Sequence, residues 1–243
     1  MIRQLGRYLI FTFRAFGGMG YVLRRPKLIL DQVYHLGLLS LPVVSFTAVF
    51  IGMVVALMVS YQLEAGLPKF YVGATGGRTI LIELAPVIIS LLIVARVGSN
   101  ITARIGTMKV TEQIDALETM GINSVHYLAL PVIIAGVIVV PALVIYGNLI
   151  SLVAAAVSAK VILNIPIADY VFGLRRYVIL NDVLGGLLKT LLFGLTMGSV
   201  SSYYGFETGV GAEGVGRSVT YSVVTAAALI MVIDFSVAFW VFR

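Results

Sequence analysis

Five stretches of this chain are apolar over roughly the length a helix needs to cross a bilayer, about 20 residues. They run from about 38–60, 79–96, 128–158, 178–203 and 220–242. Inside hydrocarbon every backbone N–H and C=O must be satisfied by the protein itself, which a helix does within its own segment. Continuous apolar runs rather than alternating ones select helices. The fold class that follows is an all-α membrane protein with five transmembrane helices. The second stretch is short and carries Glu83 and Pro86 near its start. The third is longer than a bilayer requires and contains Pro131 and Pro141, so a tilt or kink is expected there. Pro42 is expected to break the first near its start.

Composition points the same way. Hydrophobic residues make up 60% of the 243 and charged residues 12%, about half the charge of an ordinary soluble domain. The net charge of +6 does not indicate nucleic acid, because the basic residues gather before the first apolar run: Arg3, Arg7, Arg14, Arg24, Arg25 and Lys27, with Asp31 the one nearby acid. Such a bias holds the amino terminus in the cytoplasm. Five crossings then put the carboxyl terminus outside, the 97–127 and 204–219 loops in the cytoplasm, and the 61–78 and 159–177 loops outside. The chain has no Cys, and His35 and His126 stand alone, so the sequence offers no disulfide, thiolate site or metal cluster.

Residues 1–27 form an amphipathic region rather than a cleavable signal, since charges interrupt it throughout. Ile2, Leu5, Leu9, Phe13 and Phe16 share one helical face and Arg3, Arg7 and Arg14 another. The helix can lie in the membrane interface or pack on its own membrane domain, and the two are compatible. With no repeat or linker in sight, 1–243 reads as a single domain, its five-helix membrane part spanning 38–242.

The central loop holds a second amphipathic segment, at about 107–121. Val110, Ile114, Leu117 and Met120 form its apolar stripe, and Glu112, Asp115 and Glu118 lie on other faces. Thr111 is placed as N-cap and Gly121 as C-cap. A short capped helix between spans suits docking into a partner's groove, or packing on its own chain.

Several motifs then resemble one family. GluLeuAlaProVal at 83–87, AlaArgValGlySer at 95–99, IleGlyThrMetLysValThrGluGlnIleAspAlaLeuGluThrMetGly at 105–121 and AlaLeuPro at 129–131 look like the core signature of the MlaE/YrbE permeases. PheIleGlyMetVal at 50–54, GlyAlaGluGlyValGlyArgSerValThr at 211–220 and IleAspPhe at 233–235 agree in order and spacing. The resemblance implies a homodimeric permease subunit of an ABC-type lipid transporter. Its cargo would be phospholipid moved between inner and outer membranes, with ATP bound only by a separate cytoplasmic ATPase. It also implies an MCE-domain protein on the periplasmic side, a STAS-domain companion, and residence in a bacterial inner membrane. On that resemblance Thr111, Glu112, Gln113, Asp115, Ala116, Leu117 and Met120 form the ATPase-coupling helix. Val55, Leu57, Tyr61, Gln62 and Leu63 line the lipid cavity at the dimer axis. The chain itself contains no GxxxxGK[ST], so nucleotide phosphates need a separate subunit.

Glu83, Lys189 and Asp234 lie within apolar sequence, where lipid exposure costs about 2.5 to 3.5 kcal/mol each. They are expected to face inward and pair, Lys189 with Glu83 or Asp234, either lining the lipid path or fixing helix packing. Ile82 stands where some relatives have Arg, so that pairing is either absent here or supplied by another residue such as Lys189 or Arg78. Gly194 and Gly198 make a GxxxG pattern suited to close helix approach, expected within the chain. GlyValGlyAlaGluGly at 209–214 matches a dinucleotide fingerprint formally, with Asp234 about 20 residues on. No strand precedes it, so it reads as a tight cytoplasmic loop and not a cofactor site. Two other classes compete: an ion- or proton-coupled transporter or channel using Glu83, Lys189 and Asp234, and a membrane lipid enzyme. The first lacks a visible repeat with paired broken helices, and the second lacks a clustered nucleophile, metal or acid/base set.

Overall fold

The computed structural model describes the backbone of residues 2–62 and 68–241, with side chains from residue 6 onward; Leu63 and Phe242 lie outside the described residues. Twelve helices are described, and no strand occurs among the described residues. The amphipathic start forms α1 (Ile2–Phe16) and α2 (Met19–Leu23). The first candidate span, Pro26–Gln62, consists of α3 (Pro26–Gly37), a 3₁₀ turn at Leu38–Ser40, and α4 (Leu41–Gln62). The break falls just before Pro42, as the sequence led one to expect. The helix begins twelve residues earlier than the apolar run, because Pro26 opens α3 at its first position, where the missing N–H costs nothing. Lys27, Asp31 and His35 kept that part from reading as apolar.

The second span is 40 residues, Tyr71–Val110, rather than the short 79–96 segment. It comprises α5 (Tyr71–Thr79), a π turn at Ile80–Leu84, α6 (Ala85–Ile93), a π turn at Val94–Gly98, and α7 (Ser99–Val110). Glycines made its start read as an outer loop, but Gly73 and Gly77 are contact points. A Cβ on Gly73 would run into the Tyr170 carbonyl, and one on Gly77 into Leu174. Both partners lie on α10 (Ile167–Tyr177), a helix formed inside the predicted 159–177 loop. Burial pushes the Tyr170 phenol up to about 12.

After Val110 the chain turns through Thr111 and Glu112 into α8 (Gln113–Thr119). The N-cap assignment of Thr111 is corrected: its hydroxyl donates back to Thr107 O at 2.9 Å, so it closes α7. Glu112 takes a left-handed φ of 58° and makes no side-chain cap. Gly121 does terminate α8, with φ of 76°. Its N–H bonds Glu118 O at 2.9 Å while Ile122 N–H bonds Leu117 O at 3.0 Å, the paired bonds of a Schellman motif.

A third π turn, Val125–Ala129, leads into α9 (Leu130–Leu163), followed by α10, α11 (Leu180–Phe206) and α12 (Gly211–Val241). Helix α9 has 34 residues, about 51 Å at 1.5 Å per residue. The fifth span begins at Gly211, nine residues before the apolar run at 220. The glycine-rich 209–214 loop is therefore shorter than predicted: only Gly209 and Val210 precede the helix, and Gly214 sits back on Gly209.

Contacts divide the chain into two compact units drawn alternately along the sequence: 1–39, 91–140 and 191–232 in the first, and 40–90, 141–190 and 233–243 in the second. In the first unit α1 packs Phe11 and Ala15 on its own chain, with Tyr8 Oη 2.7 Å from Ser199 Oγ and Phe11 edge-on to Tyr203. The helix thus packs on its own chain, while Leu9 and Phe13 remain exposed on the other face. Gly136 and Gly194 bring α9 and α11 together, and a Cβ on Gly198 would lie 2.7 Å from Ile133 Cα. The GxxxG pattern thus serves packing within the chain.

Candidate functional site

Proline explains why two of the π turns form where they do. Pro86 and Pro131 have no N–H to bond the residue four back, and their rings crowd that carbonyl. The helix just before each relaxes into i→i−5 bonding: Ala85 N–H to Ile80 O, and Leu130 N–H to Val125 O. Glu83 sits inside the first of these turns, a kind of irregularity common at functional sites.

In the second unit Lys189 of α11 reaches two carboxylates at once. Its Nζ lies 2.5 Å from Glu83 Oε2 and 2.8 Å from Asp234 Oδ1. Its side chain is 0% exposed, that of Asp234 12% and that of Glu83 42%. The three sequence candidates therefore meet, and the cation is shared instead of assigned to one acid. One ammonium against two carboxylates leaves a formal excess of one negative charge when all are ionised. Glu83 is the member open to an arriving group.

Arg78 does not join them. It makes a two-toothed pair with Asp182, Nε to Oδ2 at 2.8 Å and NH2 to Oδ1 at 3.0 Å. Asp182 Oδ2 also accepts from the Ile179 N–H at 3.2 Å. The alternative in which Arg78 pairs with Glu83 is thereby corrected: the partner of Glu83 is Lys189. Asp182 lies in the first turn of α11, where the positive helix end favours a carboxylate.

Among the proposed cavity residues, Leu57, Tyr61 and Gln62 lie on exposed surface of α4, Tyr61 at 89%. Val55 is buried and packs toward Gly76, and Leu63 lies outside the described residues. Of the docking stripe, Ile114 is buried and Leu117 half-buried, while Val110 and Met120 are exposed. Thr111, Glu112, Gln113, Asp115 and Ala116 are exposed. So α8 is fixed from beneath by Ile114 and Leu117 and presents its polar face outward. Glu118 accepts from the Ser124 hydroxyl at 2.6 Å, tying down its end.

The described helices include five long and apolar enough to cross a membrane, which makes this a multi-pass membrane protein. Residues 29–240 match the family model described as Permease MlaE. The chain is 34% identical over 242 residues to a probable ABC transporter permease protein of Rickettsia bellii, covering 97% of this chain and 91% of that one. It is 31% identical over 215 residues to the probable ABC transporter permease protein ycf63 of Pyropia yezoensis, covering 88% and 82%. Over 251 residues it is 29% identical to the intermembrane phospholipid transport system permease protein MlaE of Haemophilus influenzae, covering 96% and 94%. With the match extending through nearly all of its helices, the chain belongs to the MlaE family of ABC transporter permeases.

Proposed function

We propose that this permease is the membrane path for a phospholipid, moved at the expense of ATP held by a separate cytoplasmic ATPase subunit and not by this chain. The observation that carries the reading is the ion cluster: Lys189 fully buried between Glu83 and Asp234 within membrane-spanning helices. Charge kept there is costly, and Glu83 offers its open carboxylate to a polar headgroup while apolar helix faces suit acyl chains. The printed name of the Haemophilus relative supports phospholipid as cargo. The working assembly in this reading is a homodimer in a bacterial inner membrane, amino terminus in the cytoplasm, partnered by an MCE-domain protein and a STAS-domain protein. It serves lipid exchange with the outer membrane. Helix α8 is the coupling element, standing at the end of the helical run Tyr71–Val110 that also carries Glu83.

The test is transport of labelled phospholipid by the reconstituted complex. Glu83→Gln and Lys189→Ala are expected to lower ATP-dependent transfer at least tenfold. Transfer at the unmodified rate in both variants would overturn the cargo-path role of the cluster. Transfer driven by an ion gradient without ATP would favour the ion-coupled alternative.

A further inference from the structure

The first unit contains an open, largely apolar cavity of about 330 Å³, whose wall includes the charged Asp31 and the polar Gln32 of α3, the charged Arg104 of α7, and Tyr127. Leu28 and Met108 supply apolar wall beside them. Arg104 donates to the neutral Gln32 Oε1 at 2.8 Å. Among the described residues neither Arg104 nor Asp31 forms an ion pair, with each other or with any other group. Two opposite charges that share one cavity and yet stay apart leave room for a ligand carrying both signs. Leu30 and Tyr34 on the same helix α3 are exposed, and an amphipathic ring such as that of tyrosine favours the headgroup level of a membrane.

We propose that this cavity binds the headgroup of a zwitterionic phospholipid with a primary amine, distinct from any cargo at Lys189. The Arg104 guanidinium takes the phosphodiester in the forked geometry that suits phosphate. Asp31 takes the ammonium, whose three N–H donors match a carboxylate. Leu28 and Met108 receive the start of an acyl chain. The site does not depend on the direction of transport or on ATP.

The experiment is native mass spectrometry of the full-length protein in detergent, titrated with phosphatidylethanolamine, phosphatidylglycerol or phosphatidylcholine. Arg104→Ala is expected to weaken retention of all three about tenfold, the loss of one charge-assisted contact. Asp31→Asn is expected to weaken phosphatidylethanolamine by a similar factor and leave phosphatidylglycerol unchanged. Arg104→Lys, which keeps the charge without the fork, should fall between, and it guards against a misfolded alanine variant. Glu83→Gln should retain this lipid even where transport is lost, which separates the site from the cargo path. Equal retention by Asp31→Asn, or displacement by millimolar inorganic phosphate alone, would overturn the proposal. So would variants that keep lipid but lose a co-purifying protein partner, since the surface would then belong to that partner.

Discussion

In the first unit a cluster of hydroxyls joins the helices: Thr102 Oγ1 lies 2.9 Å from Ser201 O and 2.8 Å from Ser222 Oγ, all buried. In the second, beside glycine contacts such as Gly73 against Tyr170, they meet through ions, Lys189 with Glu83 and Asp234, and Arg78 with Asp182. Hydroxyls satisfy one another cheaply in hydrocarbon and hold helices by about 0.6 kcal/mol per bond. Buried ions give no better adhesion once desolvation is counted. A chain that needed only glue had a cheaper solution at hand in its other unit. The contrast supports the proposed transport role of the ions.

The sharpest way to break this contrast is Lys189→Ala, which strands two carboxylates. A loss of about 3 to 5 kcal/mol is expected, read as a lowered Tm in detergent. Combining Lys189→Met with Glu83→Gln and Asp234→Asn should restore most of that stability while transport stays absent. A triple variant that still moved lipid would make the ions glue after all. Next comes Gly194→Leu in the first unit, whose side chain would strike the Gly136 carbonyl. About 1 to 3 kcal/mol is expected from overpacking, with transport falling only as stability does. Thr102→Val should cost about 0.6 kcal/mol and leave transport per folded molecule unchanged. Arg217→Ala removes an exposed pair with Glu213 and should cost no more than about 0.5 kcal/mol. Asp115→Arg on α8 should leave Tm unmoved yet release the ATPase during purification. Undiminished co-purification would sink the coupling role of that helix.

The apolar runs were legible because crossing a bilayer demands them. The ends of the helices were not, because there the chain is helical for reasons that hydropathy does not register. Gly73 and Gly77 are selected for close approach to α10, and Ser99, Asn100 and Arg104 continue α7 beyond the apolar stretch. Both sets read as loop. Lone charges in apolar sequence announced the Lys189 cluster, since each had to find a partner. Arg78 and Asp182 stood at the edges of apolar runs, where a charge can reach water unaided, so their pairing left no mark. On α8 the Schellman ending was visible in Gly121, whereas the left-handed Glu112 was not, because a glutamate rarely adopts that conformation.

Each π turn accommodates one more residue than the α-helical turn it replaces, and one residue is about 100° of rotation. The run Tyr71–Val110 contains two such turns, so its far end is rotated by about 200° from where an unbroken helical wheel would put it. A wheel drawn through this segment assigns faces correctly only between the turns. Glu83 sits within the first of these turns and Arg78 just before it, five residues apart, and the two answer to different partners.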